Sequence, residues 1–193
     1  MKTQAKLLSI VVIAGLSILV MILVGCASSL SLTDSQMLVD SVDLKRYAGL
    51  WYQVGRYPNS FQRGVCTVST AEYTLTEDGR VLVLNRCWED FYGGKYTQQV
   101  RAVGRPADAS GNRLLVTFFK LFTANYLVVE LDQETYQWAA VTTPNRGNLW
   151  ILSRTPALDE AIYQRIVQSL TAKGFDPDKI IRTSLQALAP PSP

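Results

Sequence analysis

The chain has 193 residues, of which 48% are hydrophobic, a formal net charge of +3 and no histidine. This small charge gives no electrostatic support for binding a polyanion, so we expect no nucleic-acid partner. Histidine is the commonest metal ligand and general base, and its absence argues against metal-dependent hydrolysis and against Ser–His or Cys–His catalysis. We therefore predict no catalytic residues, no metal site and no cofactor.

The N-terminus has the pattern of a targeting segment. Lys2 and Lys6 precede an uncharged apolar run of 19 residues, 7–25, as in a secretory signal peptide. We expect residues 1–25 to be removed as a signal peptide. A run of this length is also sufficient for a retained membrane anchor, which is the alternative.

The residues that follow favour a lipoprotein. Leu23-Val24-Gly25-Cys26 matches a bacterial lipobox, in which the cysteine becomes the lipid-modified N-terminus, so Cys26 is the expected lipid attachment site. Ala27, in place of aspartate, matches the pattern that directs lipoproteins to the outer membrane. The Ser-rich residues 26–42 lack periodicity and suit a flexible tether. The mature chain then has 168 residues and a formal charge of +1, a usual length for one domain.

Eight strands with short connections are predicted after the tether. Asp43 is placed to cap a short helical turn ending before Gly49, and the first strand follows around Trp51. The remaining candidates are rich in Val, Thr and Tyr and lie at 67–75, 80–87, 95–104, 113–119, 126–131, 137–143 and 148–153. Consecutive hairpins predict an all-β fold, an eight-stranded antiparallel up-and-down β-barrel, because closure removes the exposed edges of a meander.

One amphipathic helix is predicted after the strands, at about 156–173. Thr155 is a suitable N-cap, and Pro156 suits the first helical position. An apolar residue at every fourth position forms one stripe, made of Leu158, Ile162, Ile166 and Leu170. Gly174 is expected to end the helix in a Schellman motif. The helix should pack outside the barrel, followed by a short edge strand at 179–183 and a disordered tail at 187–193.

Two stretches resemble motifs of the lipocalin family. Residues 42–52, Val-Asp-Leu-Lys-Arg-Tyr-Ala-Gly-Leu-Trp-Tyr, resemble the first motif, and residues 149–156, Leu-Trp-Ile-Leu-Ser-Arg-Thr-Pro, resemble the last. The middle motif, Thr-Asp-Tyr in the family, is replaced here by Thr123-Ala124-Asn125-Tyr126, a variation that resembles the bacterial outer-membrane, apolipoprotein D-like branch. The resemblance implies a barrel domain at 43–186 with an apolar cup open at one end.

This resemblance implies a function as well as a fold. Fatty acids and lysophospholipids are the implied ligands, bound in the cup of an outer-membrane lipoprotein facing the periplasm, for lipid transport, storage or membrane maintenance. The alternative is an isomerase or epoxide-handling enzyme acting on a lipid or carotenoid, which would need a reactive Cys66 or Glu130. A third hypothesis is an assembly partner that holds another protein at the open end. The sequence leaves homodimer formation open.

Gly49, Trp51 and Arg154 are expected to close the barrel. A glycine two residues before the tryptophan permits close approach of another group. A guanidinium laid over an indole is a favourable cation–π pair, worth about 0.5–2 kcal/mol. In the family this motif lies at the closed end, so a direct role in ligand binding is the less favoured alternative.

Cys66 and Cys87 remain once Cys26 carries a lipid, and in an oxidising compartment we expect them to form a disulfide. With a four-residue hairpin loop, Cys87 would face Val68, and Cys66 would lie two positions further along. That diagonal is near the limit of disulfide geometry unless a bulge or strand twist closes it. A free thiol, including a catalytic one, is the alternative.

Aromatic residues near two predicted turns are the main ligand-binding candidates. They are expected to form a mobile lip over the cup, which would contain Trp88, Phe91, Tyr92, Tyr96 and Phe118, with Phe119 and Phe122 beside them. Such a patch would alternatively contact the membrane.

Strand alternation supplies the remaining candidates. An inward Trp51 predicts that Gln53, Gly55 and Tyr57 also point inward. Tyr57, Glu130 and Trp138 complete the predicted ligand-binding set, and Arg101 and Arg105 are candidate partners for a carboxylate or phosphate.

Overall fold

The computed structural model describes residues 36–60, 62, 66, 68–90, 95–119 and 121–183. The predicted signal peptide, Cys26, most of the tether and the predicted tail lie outside these residues. Within the described ranges, no helix is both long enough and apolar enough to cross a membrane.

A one-turn helix and eight long strands form the body of the domain. Asp43 caps helix α1 (Leu44–Tyr47) by accepting hydrogen bonds from the backbone N–H groups of Lys45 and Arg46. The strands that follow are β1 (Gly49–Arg56), β2 (Val68–Leu75), β3 (Val81–Asp90), β4 (Lys95–Pro106), β5 (Arg113–Phe118), β6 (Phe122–Leu131), β7 (Trp138–Thr142) and β8 (Leu149–Ser153).

Antiparallel pairing closes these strands into a barrel. Each strand pairs with the next, and β1 pairs with both β8 and β2. The predicted eight-stranded antiparallel barrel is therefore confirmed. A ninth strand, β9 (Ile181–Arg182), pairs with Gly55 and Arg56 near the end of β1. We call the end of the barrel carrying α1 the floor, and the opposite end, carrying the β5–β6 turn, the mouth.

The sixth strand begins earlier than the sequence predicted. Its first residue is Phe122 rather than Tyr126, and Phe118 pairs with Phe122 across a three-residue turn. Thr123-Ala124-Asn125 therefore lies in the ladder, where Ala124 pairs with Val116. The tight turn extends both strands toward the mouth.

The helix after the barrel is shorter than predicted. Helix α2 spans Glu160–Ala172, and its N-cap is Asp159, whose carboxylate accepts the N–H groups of Ala161 and Ile162. Prediction of Thr155 as the cap was wrong because the Thr155 hydroxyl instead donates to the carbonyl of Ala157. The predicted Schellman end is present, since Phe175 N–H reaches the carbonyl of Leu170 and Gly174 has φ 84°.

Helix α2 packs outside the barrel, as predicted. Its buried side chains are Tyr163, Ile166 and Leu170. A Cβ added at Gly55 would lie 3.2 Å from both the Ile151 Cδ1 and the Tyr163 hydroxyl. The absence of a side chain at Gly55 thus lets the helix approach β1 and β8 closely.

Candidate functional site

Arg154 joins the floor of the barrel to the start of the first strand. Its guanidinium carbon lies 3.8 Å from the centre of the Trp51 ring, and Trp51 is fully buried. The guanidinium donates to five backbone carbonyls, those of Arg46, Tyr47, Ala48, Leu50 and Tyr136, at 2.7–3.2 Å. This group therefore satisfies the carbonyls around α1 and holds the indole in place.

The Trp51 N–H and Gly49 complete the floor. Trp51 Nε1 donates to the carbonyl of Tyr47 at 2.8 Å. Gly49 has φ 102°, and an added Cβ would lie 3.1 Å from Arg154 Nη1. A residue with a side chain would be strained here and would crowd the guanidinium. Burial lowers the pKa of Arg154 from its usual value.

Three tyrosines form a hydrogen-bonded cluster above the floor. The Tyr126 hydroxyl lies 2.8 Å from that of Tyr47 and 3.0 Å from that of Tyr73. Burial raises the pKa of Tyr73 to about 12 and raises the pKa values of Tyr47 and Tyr126 well above the usual value. These phenols are therefore neutral at physiological pH. Tyr126 is only half-buried, although it faces the interior.

The inner wall above this cluster is apolar except for Asn85 on β3, which pairs with the inward-facing Ala71 and Val100. Inward positions on β2 to β8 share one continuous core, which includes Ala71, Val83, Ala102, Val116, Val128, Val141 and Leu152. Burial decreases toward the mouth on the β4–β6 side, where Val100, Phe118 and Ala124 are half-buried and Gln98 is exposed. The interior is therefore sealed at the floor and accessible to solvent from the mouth.

Neutral polar groups lie near the mouth. Gln62, from the β1–β2 loop, donates from Nε2 to Gln53 Oε1 at 2.8 Å and to Ser69 Oγ at 2.9 Å. Its Oε1 accepts from Trp150 Nε1 at 3.2 Å. Among the described strand positions that face the interior, Arg56 is the single Asp, Glu, Lys or Arg: it lies at the mouth end of β1, opposite Trp150, and donates to the carbonyl of Tyr57. The cup is thus largely apolar below and polar near the mouth, where Arg56 is its one charged strand residue.

Sequence reasoning missed most of this network. Gln53 was correctly placed inward, but Gln62 and Ser69 carry no periodic signal that distinguishes them from other polar loop and strand residues. Trp150 lies on a short apolar strand, β8, in which both faces are covered, so alternation alone does not reveal its direction.

Two predicted ligand contacts lie outside the barrel, against the helix. A register shift between Gln53 and Gly55 reverses the facing of β1, so Tyr57 packs on Phe175 and donates to the carbonyl of Asp176. A second shift between Val128 and Glu130 turns Glu130 outward. There its carboxylate forms an ion pair with Lys173 at 2.8 Å.

The other strand candidates also face outward. Trp88 Nε1 donates to the Thr70 hydroxyl, on the face opposite Ala71. Trp138 lies on the face opposite Ala139, which belongs to the core. The same alternation places Arg101 and Arg105 on the outer face of β4, because Ala102 points inward.

The predicted aromatic lip is described only in part. Phe118 packs against the core from the mouth, in the direction expected of a ligand contact. Phe91 and Tyr92 lie outside the described residues. Tyr96 pairs with Trp88 in the β3–β4 ladder, and the structure describes its backbone only.

The predicted disulfide between Cys66 and Cys87 is present, with a Cα–Cα distance of 5.4 Å. Cys87 pairs with Ser69 rather than with Val68, because the β2–β3 connection is five residues long rather than four. Cys66 precedes β2 and is not paired with β3. Its distance from Cys87 is therefore not fixed by the spacing of residues across the β2–β3 ladder. The bond fastens the β1–β2 loop to β3 near the mouth.

Comparison with known proteins agrees with this architecture. Residues 42–185 match the family described as "Lipocalin-like domain". The outer membrane lipoprotein Blc of Vibrio cholerae is 36% identical over 165 residues, which cover 84% of this chain and 92% of that protein. The protein of the same name from Escherichia coli (strain K12) is 38% identical over 146 residues, covering 75% of this chain and 80% of that protein.

A solved structure shows the same fold at lower sequence identity. The cockroach allergen Per a 4 is 20% identical, with a TM-score of 0.57, over 78% of this chain and 100% of the allergen. At that identity the likeness concerns the fold alone. The family match spans the whole closed barrel together with its floor and outer helix, and the chain belongs to the lipocalin family.

Proposed function

We propose that this protein is a lipid-anchored lipocalin that binds one small amphiphile, a fatty acid or a lysophospholipid, inside the barrel. One observation carries the proposal, which is the order of chemistry along the interior. An apolar wall rises from the Tyr47–Tyr73–Tyr126 cluster and ends in neutral polar groups near an accessible mouth. An amphiphile matches that order with its tail toward the floor and its head group at the mouth.

Burial of the tail supplies the driving force. Removal of a twelve-carbon chain from water contributes roughly 10 kcal/mol at about 0.8 kcal/mol per CH₂ group. Loss of translational and rotational freedom opposes a large part of this. The remainder is sufficient for micromolar affinity without an ion pair to the head group.

The apolar interior below the mouth determines where the head group lies. A carboxylate or phosphate moved into an apolar cavity without a partner carries a large desolvation cost. Gln62, Ser69 and Arg56 concentrate hydrogen-bonding groups near the mouth, while Asn85 is the one amide lower on the described inner wall. A charged head group therefore stays near the mouth, in contact with water, and the floor cluster meets the tail.

The N-terminal motif supports a location next to the source of such ligands. Lipidation of Cys26 would attach the barrel to a membrane without a spanning segment. The relatives from Vibrio cholerae and Escherichia coli are named outer membrane lipoproteins. An outer-membrane anchor facing the periplasm suits transport, storage or maintenance of membrane lipids.

The groups required by the enzymatic alternative are engaged elsewhere. Cys66 is bonded to Cys87 and offers no thiolate. Glu130 lies outside the barrel, where it accepts from the hydroxyl of Ser169 and pairs with Lys173. Neither group meets a ligand in the cup, so binding without chemistry is the function that the geometry supports best.

A titration with a fluorescent fatty acid tests the proposal. Ala124→Phe would place a ring in the cup, because Ala124 faces Val116 on the inner wall and is half-buried. Thr123→Phe is the matched control, since Thr123 is the adjacent residue and is exposed on the outer face. We expect saturable binding that palmitate or a lysophospholipid displaces, at least tenfold weaker in Ala124→Phe and unchanged in Thr123→Phe.

Two results would contradict the proposal. One is the absence of saturable, displaceable binding in the parent protein. The other is an equal effect of the two substitutions, which would place the probe on the outer surface. Far-ultraviolet circular dichroism of both variants establishes that each is folded.

A further inference from the structure

Three large apolar side chains are exposed together at the tip of the β5–β6 hairpin. Phe119 is 74% exposed, Leu121 is 92% exposed and Phe122 is 64% exposed. The other large apolar side chains that are exposed among the described residues lie singly on the strands, at 38–45%. We call Phe119, Leu121 and Phe122 the apolar tip.

The turn itself does not require these residue types. Phe119 has φ 52°, a left-handed conformation that glycine and asparagine adopt more readily than a bulky residue. Gly79 and Gly111 take the positive φ angles of the β2–β3 and β4–β5 connections. Tyr136 and Arg146 also have positive φ, but their side chains bond to Asp43 N–H and to the carbonyl of Lys173, whereas the Phe119 side chain is largely exposed. A phenylalanine at this position therefore carries a conformational cost, which a function of its side chain would explain.

The apolar tip is continuous with the cup. The ring centres of Phe118 and Phe122 lie 6.4 Å apart, and Phe118 packs against the inner core. An apolar path thus leads from the tip over the rim of the mouth to the inner wall. A surface in contact with the tip would also lie beside the entrance for a ligand.

The chain is long enough to let the mouth reach the membrane. Val39 N–H donates to the carbonyl of Val128, and Val128 is six residue steps from Phe122 along β6, about 20 Å at 3.3–3.4 Å per step. Thirteen peptide steps separate Cys26 from Val39, which span at most about 45 Å when fully extended. A lipid on Cys26 therefore permits the tip to contact the bilayer in which the lipid is held.

The size of the tip favours a bilayer over a second copy of the chain. From the exposed fractions, these side chains offer roughly 400 Å². Two such patches would bury about 800 Å², in the range of crystal contacts and below that of stable protein interfaces. Immersion in the interfacial layer of a membrane requires only a few apolar side chains and no matching partner surface.

We propose that Phe119, Leu121 and Phe122 insert into the bilayer and hold the mouth of the barrel against the membrane surface. This inference rests on the membrane anchor of the proposed function. It adds an orientation: the ligand passes between the bilayer and the cup over an apolar rim, with its tail shielded from water.

Depth-dependent quenching on vesicles tests the insertion. The lipidated full-length mature protein is reconstituted into vesicles of phosphatidylethanolamine and phosphatidylglycerol, with an environment-sensitive fluorophore at Leu121→Cys. The matched control carries the fluorophore at Leu82→Cys, an exposed apolar position on the outer face of β3 near the floor. With a quencher attached to the lipid chains, we expect most of the emission at position 121 to be lost and the emission at position 82 to be retained.

A second variant tests whether the quenching depends on the apolar side chains of the tip. Phe119→Asn with Phe122→Ser removes two apolar groups, and asparagine suits the left-handed backbone, so we expect folding to be preserved. The quenching at position 121 should fall to the level at position 82. Absent quenching, or equal quenching at positions 121 and 82, would overturn the inference. Energy transfer between two copies labelled at position 121 with different fluorophores would also overturn it, because it would show that the tip contacts a second copy of the chain.

The fatty-acid titration is repeated on the same vesicle-bound protein. Retained binding without quenching at position 121 refutes only the insertion. Loss of binding in the unmodified protein refutes the proposed function instead.

Discussion

The floor contact between Arg154 and Trp51 gives the sharpest prediction of stability. Arg154→Ala removes a guanidinium that donates to five backbone carbonyls and lies over the indole. The carbonyl of Tyr47 keeps its bond from Trp51 Nε1, and those of Arg46 and Leu50 are exposed enough to be hydrated. The carbonyls of Ala48 and Tyr136 are left with less access to water.

The expected loss follows from these contacts. Two partly buried carbonyls without partners cost about 1 kcal/mol each, and loss of the cation–π pair costs about 1 kcal/mol more. A destabilisation of about 3 kcal/mol lowers the melting temperature by roughly 6–12 °C for a domain of this size. Arg154→Lys should recover only part of this loss. The ammonium group keeps the positive charge over the indole, but it lacks the planar set of donors that reaches several carbonyls.

Thermal unfolding followed by circular dichroism measures the effect. Arg105→Ala is the matched control, since Arg105 is exposed on the outer face of β4, and it should change the melting temperature little. At temperatures where Arg154→Ala is folded, its affinity for a fluorescent fatty acid should equal that of the parent protein. A shift similar to that of the control, or lost binding without lost stability, would refute the structural assignment of Arg154.

Three further predictions concern the floor, the tyrosine cluster and the disulfide. Gly49→Ala should destabilise the domain by about 1–2 kcal/mol, because φ is 102° there, and chemical denaturation showing no change would contradict this. The raised pKa of Tyr73, about 12, means that the folded chain retains a proton that the unfolded chain releases near pH 10. Stability should therefore fall as the pH rises from 10 to 12, and the fall should be smaller in Tyr73→Phe, whereas identical alkaline profiles would refute the contribution of Tyr73. Replacement of Cys66 and Cys87 by serine should cost about 3 kcal/mol, the value expected for a loop closed across 21 positions, and an unchanged denaturation midpoint would contradict it.

The architecture was predictable because local signals agreed with one another. Turn residues at regular spacing separated segments rich in β-formers, and the meander they predict is the one observed. Gly174 marked the end of the helix correctly. The start of the helix was misplaced because both Thr155 and Asp159 suit an N-cap, and tertiary packing selects between them.

The direction of individual side chains was less predictable. Alternation holds only until a bulge, and the register shifts before Gly55 and Glu130 turned Tyr57 and Glu130 from the cup to the helix. Neither shift has a distinct residue signature. On β7, Ala139, Ala140 and Val141 are all buried because the strand is covered on both faces, so an apolar pattern does not show which face lines the cup.

Native mass spectrometry of the protein released from its own membranes tests most directly whether the cup holds a single amphiphile. We predict a species carrying one fatty acid or lysophospholipid, which Thr123→Phe preserves and Ala124→Phe lacks. A protein that emerges without bound lipid, or with the same lipid in both variants, would contradict an interior binding site.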